Sequence, residues 1–322
     1  MLDTKDRRIL AALDRDAQIT FKALGKQTGV SQESARYRFE RLRATGIISR
    51  CITYLNFTRL GYFGYCVYCR FATNIDEEKQ RFLTALQDNR RVYWVAEFGG
   101  RFDLAFAFLA KTPVEFDAAL RALLSKHPGI VTDITLVTKL DPHKYDRTYL
   151  SRSTTRRSSS TTIDVTGDEA LTTQERRIIK FLTQDARIPK AEIARRLRMP
   201  LSTIAYTVKA LMRRGILGGS TIVTQPSKFG YLAFQLNVRM PEADDSTWRK
   251  LISYCESKPN IIFAIRTLGP WNVEILYEIE SAHRMQEHIV ELRTLLSDAI
   301  RDVELLNIFE DYRKLSHYPF ED

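Results

Sequence analysis

Leu2-Asp3-Thr4-Lys5-Asp6-Arg7-Arg8-Ile9-Leu10 returns 169 positions later as Leu171-Thr172-Thr173-Gln174-Glu175-Arg176-Arg177-Ile178-Ile179. The same offset carries Asp16-Ala17 to Asp185-Ala186, Tyr37 to Tyr206, Leu42 to Leu211 and Gly46-Ile47 to Gly215-Ile216. It also carries Gly61-Tyr62 to Gly230-Tyr231 and Gly100 to Gly269. A repeat that holds its register without a gap means one structural plan used twice. The halves span about 1–150 and 170–322.

Each half opens with helical spacing. Ile9, Leu10 and Leu13, then Phe21 and Leu24, then Ala35, Phe39 and Leu42 are the apolar positions of three short helices. Ser31 is placed to cap the third helix and Gly46 to stop it. The second copy repeats the pattern with Ile178–Leu182, Ile188–Leu197, and Ile204, Val208 and Leu211. Three helices with a tight turn before the third make a helix-turn-helix. Ile47–Tyr54 and Ile216–Val223 are predicted as short flanking strands, a small wing beside each bundle.

The remainder of each half changes period. Phe63, Tyr65, Val67, Cys69 and Phe71 alternate on one face, as do Leu232, Phe234, Leu236, Val238 and Met240. A helix (76–87), strands 92–98 and 102–109, a second helix (113–125) and a last strand (130–140) complete βαββαβ, the ferredoxin-like order. The fold class is therefore α+β: two winged helix-turn-helix modules, 1–55 and 170–224, each followed by a ferredoxin-like module, 56–146 and 225–322. Between the halves, 147–169 contains the Ser/Thr/Arg run 151–162 and is predicted as a flexible linker.

Composition narrows the function. Lys and Arg number 49 against 39 Asp and Glu, a formal charge of +10 that favours an acidic partner such as nucleic acid. No apolar run is long enough to span a membrane, the N-terminus lacks a secretory pattern, and four cysteines in 322 residues make no disulfide scaffold. A cytoplasmic, nucleoid-associated protein is the expectation.

The third helices carry the chemistry. With Ala35, Phe39 and Leu42 inward, Tyr37 and Arg41 fall on the outer face, with Arg36, Arg38 and Arg43 along its flanks. Gln32 and Ser34 sit near the N-terminus, where short polar groups reach base edges while guanidinium groups reach guanine or phosphate. The second copy presents Ser202, Thr203, Tyr206, Lys209 and Arg213. It has Pro200 for Ser31 and Thr207 for Arg38, with Arg195, Arg196 and Arg198 loading charge on its second helix and turn. The expectation is that the first copy reads bases and the second mainly grips phosphates.

Leu2-Asp3-x-x-Asp6-x-x-Ile9-Leu10-x-x-Leu13, Asp16-Ala17, Leu24, Val30-Ser31 and Arg38-Phe39-x-x-Leu42-x-x-x-Gly46-Ile47-Ile48 resemble the Lrp/AsnC (feast/famine) regulators, and the ferredoxin-like modules resemble that family's RAM domain. The resemblance implies a double-stranded DNA partner, an amino acid or related small effector, and homo-oligomers formed through RAM sheets. Family members typically carry one copy per chain, so a fused chain either pairs with itself or with a second chain. The resemblance also points to the turn between the second and third RAM strands as the effector site. In this chain that turn is Gly99-Gly100-Arg101-Phe102-Asp103, with counterpart Gly269-Pro270-Trp271-Asn272. Gly99, Gly100, Arg101, Asp103, Gly269, Trp271 and Asn272 are thus the candidate effector residues, glycine allowing close backbone approach and Asp103 meeting an amino group.

No enzyme, cofactor or metal is expected. The five histidines are scattered, and Cys66 and Cys69 point to opposite faces of a strand. Siroheme decarboxylases resemble Lrp/AsnC proteins and act as pairs of such subunits. However, Trp94-Val95-Ala96-Glu97 and Phe263-Ala264-Ile265-Arg266 lack the histidine that those enzymes carry in this region. The alternatives to a specific regulator are an architectural DNA-binding protein without effector and, less favoured, such a decarboxylase.

Overall fold

A computed structural model describes residues 2–72, 75–151, 158–160, 167 and 169–312. The first half runs α1 (Thr4–Arg15), α2 (Phe21–Thr28), α3 (Gln32–Ala44), β1 (Ile48–Leu55), β2 (Phe63–Phe71), α4 (Asp76–Asp88), β3 (Val92–Gly99), β4 (Leu104–Ala110), α5 (Pro113–Leu124) and β5 (Val131–Tyr145). After β6 (Ser158–Ser160) the second half runs α6 (Thr173–Gln184), α7 (Lys190–Leu197), α8 (Leu201–Arg213), β7 (Leu217–Thr224), β8 (Leu232–Arg239), α9 (Asp245–Ser257), β9 (Ile261–Leu268), β10 (Val273–Ile279), α10 (Ala282–Leu295) and β11 (Asp302–Asp311). No helix among the described residues is long and apolar enough to cross a membrane.

Local signals set the helix ends. Asp3 and Asp6 form a capping box on α1, Thr20 caps α2, and Ser31 caps α3 through the Ser34 amide. Gly29, left-handed at φ 72, ends α2. Its counterpart Arg198 takes the same conformation at φ 53 without glycine's freedom.

The strands expected beside each bundle form, but neither stands as a separate wing. β1 and β7 instead pair with each other, antiparallel, with Cys51 opposite Ile222 and Ile52 opposite Thr221. Each edge finds its hydrogen-bond partner in the other copy, and the apolar side chains follow. Ala186 and Ile222 enter the first bundle's core, while Leu55 and Leu60 enter the second's. The two helix-turn-helix heads are thereby interlocked.

The ferredoxin-like halves also merge. Strand order β2-β4-β3-β11-β8-β10-β9-β5 is closed by a β2–β5 pairing, giving a barrel with β6 appended to β5. One apolar cluster lies between the first half's strands and α4–α5, and another between the second half's strands and α9–α10. A third, including Cys66, Trp94, Phe98, Phe102 and Trp271, fills the interior. Cys66 faces that interior and Cys69 the helices, so the two thiols are on opposite sides. The sheet pairing expected between chains is made here within one chain, which answers the fused-chain question in favour of an internal pair.

The linker boundary also moves. Thr148–Leu150 is a short 3-10 turn, Leu150 is buried in the first head's core and Arg147 is buried beside it. Ser158–Ser160 pair with His143–Tyr145 of β5. Residues 152–157, 161–166 and 168 of the predicted linker lie outside the described residues.

Candidate nucleic-acid interface

α3 and α8 bury Ala35, Phe39 and Leu42, or Ile204, Val208 and Leu211, and turn the opposite face outward. Tyr37 and its counterpart Tyr206 are each 68% exposed. Gln32, Arg36, Arg41 and Arg43 are exposed around Tyr37, and Ser202, Lys209 and Arg213 around Tyr206; Ser34 and Thr203 are half-buried. Arg36 lies over the Phe21 ring at 5.2 Å and Arg43 over Phe39 at 5.8 Å, which keeps both charges extended along the helix flank.

Arg38 is a correction to the predicted set. It donates from Nη1 to Asp3 and to buried Asp6, both at 2.7 Å, and its side chain is 18% exposed. Arg41 donates to the second Asp6 oxygen at 2.5 Å while remaining exposed, so it is part strut and part surface. These bonds tie α3 to the start of α1. Copy two lacks Arg38 and builds the strut from elsewhere: Arg214 holds Glu175 at 2.5 Å and Glu169 at 2.8 Å. A buried carboxylate left alone is costly, so Arg38 is committed to Asp6, while Arg214 ties together the half-buried Glu175 and Glu169.

The arginines that were expected to grip phosphate in copy two are also partly spoken for. Arg195 and Arg196 both donate to Glu192, and those hydrogen bonds pull its carboxyl down to about 2. Of the three, all exposed, Arg198 has no ion pair among the described residues.

One residue that the helical spacing does not single out, Arg187, helps set the geometry of the heads. Arg187 crosses from the second head to donate to the Ala17 and Ile19 carbonyls, at 2.5 and 3.0 Å, and stacks over Phe21 at 4.5 Å. Burial lowers its pKa, although Cys51 and nearby carboxylates oppose that. The Ala17 amide donates to the Ser220 carbonyl, and the Ala186 amide to that of Cys51. This reciprocal pair, at equivalent positions of the repeat, was the available signal in Asp-Ala. The recognition helices are held as one unit.

The predicted effector turns are packed shut. Asp103 accepts the Phe71 amide at 2.9 Å, and Asn272 accepts the Met240 amide at 2.6 Å, the same bond at the same repeat position. Asp103 is therefore a turn lock, which is why an uncharged Asn serves in copy two. Trp271 is buried in the barrel and donates to Glu274. A Cβ on Gly99 would meet the Phe309 ring at 2.7 Å, and one on Gly269 the Leu136 carbonyl at 3.1 Å. Gly100, at φ 125, faces Leu306, and exposed Arg101 is 3.7 Å from Glu304. These residues do not converge on a ligand space, because each turn closes against the other half.

Residues 2–43 match the AsnC-type helix-turn-helix domain, and residues 171–217 match a winged helix-turn-helix DNA-binding domain. Regulatory protein AsnC of Haemophilus influenzae is 28% identical over 131 residues, covering 40% of this chain and 81% of that protein. An uncharacterised HTH-type transcriptional regulator of Pyrococcus abyssi is 40% identical over 73 residues, covering 22% of this chain and 45% of its own length. The crystal structure of the siroheme decarboxylase NirDL shares the fold, with TM-score 0.60 at 17% identity over 96% of this chain and 92% of that one. Two helix-turn-helix modules of this kind, each ahead of a ferredoxin-like module, make the chain similar to the Lrp/AsnC regulators, with their plan present twice.

Proposed function

We propose that the protein is a sequence-specific DNA-binding transcriptional regulator whose affinity is set by an amino acid or related small effector. The observation that carries it is the pair of outward faces built around Tyr37 and Tyr206, each ringed by exposed cations. A groove-reading helix needs guanidinium and short polar groups at such a face. Arg36, Arg41, Arg43 and Gln32 supply them in the first head; Lys209, Arg213 and Ser202 give the second a face better suited to phosphate.

Because the heads are interlocked, an effector acts by tilting the head pair on the barrel, not by spreading one head from the other. The merged sheets enclose packed side chains and leave the heads no room to separate through them. The same faces and the absence of histidine at 94–97 and 263–266 favour a non-enzymatic role alongside the nucleoid.

Selection from a random duplex pool, at two salt concentrations and with or without amino acids, tests the reading. Expected are a discrete palindromic site, a steep fall in affinity with salt and an effector-dependent shift. Equal affinity for every duplex would favour an architectural protein, and absence of binding would sink the proposal.

A further inference from the structure

Between the head sheet and the barrel lies a cavity of about 210 Å³. Its walls include Tyr54 and Phe57 from β1 and the turn after it, Tyr93 and Trp94 from β3, Lys139 from β5 and Phe263 from β9. Its lining is mostly apolar, with Lys139 and Lys144 as the charged residues and no carboxylate among the described residues. Lys144 is committed to Asp14, 3.3 Å away. Lys139 stands 3.3 Å from buried Glu274 and 4.0 Å above the Trp94 ring, and an ammonium has three protons to give. Glu274 keeps other donors, the Tyr68 hydroxyl at 2.7 Å and the Trp271 indole at 3.2 Å.

The other half shows what such a niche holds. There the counterpart of Tyr62 is Tyr231, and Tyr149 packs against it with ring centroids 4.5 Å apart. The counterpart of Leu109 is Glu278, which accepts from the Tyr149 hydroxyl and from Arg147. That niche is thus filled by an aromatic ring carrying a polar head. Its twin, unfilled among the described residues, has the charge reversed, Leu109 for Glu278 and Lys139 for Ile308. An apolar cavity of roughly 150 Å³ holds benzene, so 210 Å³ accommodates one ring with a small polar group.

We propose that this cavity binds a monocyclic aromatic carboxylate, its ring among Tyr93, Trp94 and Phe263 and its carboxylate on Lys139. Because Tyr54 belongs to the head sheet and Trp94 to the barrel, the ligand bridges the two bodies whose tilt the regulator reading invokes. That consequence rests on the effector reading; binding itself does not.

Calorimetry and tryptophan fluorescence on the full chain, without DNA, test it with phenylacetate, phenylacetamide, phenethylamine and acetate. Expected is saturable binding of phenylacetate, with phenylacetamide about ten-fold weaker or more because a charge-assisted bond is lost. Phenethylamine and acetate are expected not to bind. Lys139→Met alone strands Glu274, so Lys139→Met with Glu274→Gln keeps the core neutral and should erase the acid-over-amide preference. Leu109→Trp, which fills the space, should abolish binding while leaving the far-UV spectrum unchanged. Equal binding of acid and amide, or no binding of any probe, would overturn the proposal. So would binding that appears only after Tyr318→Ala, the sequence counterpart of Tyr149, since the cavity would then belong to the chain itself. Ligand binding with no change in DNA affinity would sink the effector reading and leave the site standing.

Discussion

Arg147 donates from Nε and Nη2 to the two carboxylate oxygens of Glu278, both at 2.8 Å, and from Nη1 to Asp14 at 2.5 Å. The three side chains are buried and belong to the stretch after β5, to β10 and to α1. Lys144 and Thr221 complete the shell around Asp14. One guanidinium therefore joins the first head to the second half's barrel strands. The repeat counterparts of Asp14 and Glu278 are Thr183 and Leu109, so among the described residues the second head has no equivalent strut.

Arg147→Met is expected to destabilise the protein by about 3–5 kcal/mol, because it leaves two buried carboxylates with too little positive charge. Urea unfolding measures it. Combining Arg147→Met with Glu278→Leu should recover part of the loss, and an unchanged midpoint in the single variant would contradict the arrangement.

Acid sensitivity follows from Asp14. Burial pushes its carboxyl up, but Lys144, Arg147 and the Arg147 amide outweigh that and hold it at about 2, against an ordinary 3.8. A depressed carboxylate adds stability above its unfolded pKa and loses it as pH falls toward the folded one, here between about 4 and 2. The shift corresponds to about 2 kcal/mol. In urea melts across pH 2–6, Asp14→Asn should be less stable near pH 6 and lose less stability on acidification.

Arg198 ends α7 in the left-handed region at φ 53, where copy one has Gly29. An L-residue there costs roughly 1–2 kcal/mol, partly offset by glycine's greater freedom when unfolded. Arg198→Gly should raise stability by about 0.5–1 kcal/mol in chemical denaturation. A loss would show that the arginine side chain makes a stabilising contact.

Arg36 and Arg38 stand two residues apart on α3 and should fail in different assays. Arg38→Ala leaves buried Asp6 with Arg41 and the Asp3 amide and is expected to cost about 1–3 kcal/mol of stability. Arg36→Ala should leave the melting curve nearly unchanged and weaken DNA binding, lowering the salt slope by about one if it meets a phosphate. Matching phenotypes would refute the division of labour.

At the barrel turn, the charge of Asp103 is dispensable but its oxygen is not. Asp103→Asn still accepts the Phe71 amide, as Asn272 does for Met240, and should shift stability by less than about 0.5 kcal/mol. Asp103→Ala strands that amide and should cost about 1–2 kcal/mol in the same denaturation assay. Loss of effector response in Asp103→Asn alone would restore the turn as a recognition site.

The helices and strands were legible because their signals are local. Ser31 caps α3 within three residues, and alternation over 63–71 is a property of one strand. The outward faces of α3 and α8 were legible for the same reason, with Tyr37 and Tyr206 exposed as the 100° step requires. Arg38 was misread because the Asp6 that claims it lies on another helix, and periodicity is silent about ion pairing between helices. The effector turns were misread because a glycine that admits a ligand and one that admits Phe309 look alike in sequence.

Sequence by itself determined the duplication, the element order and the faces of the recognition helices, all consequences of backbone period and short-range capping. Tertiary structure alone decided that β1 pairs with β7, that β2 and β5 close the barrel, and that Arg147 ends between Asp14 and Glu278. A strand edge offers the same amides and carbonyls to any partner, so its choice depends on where apolar faces from distant parts of the chain are buried together.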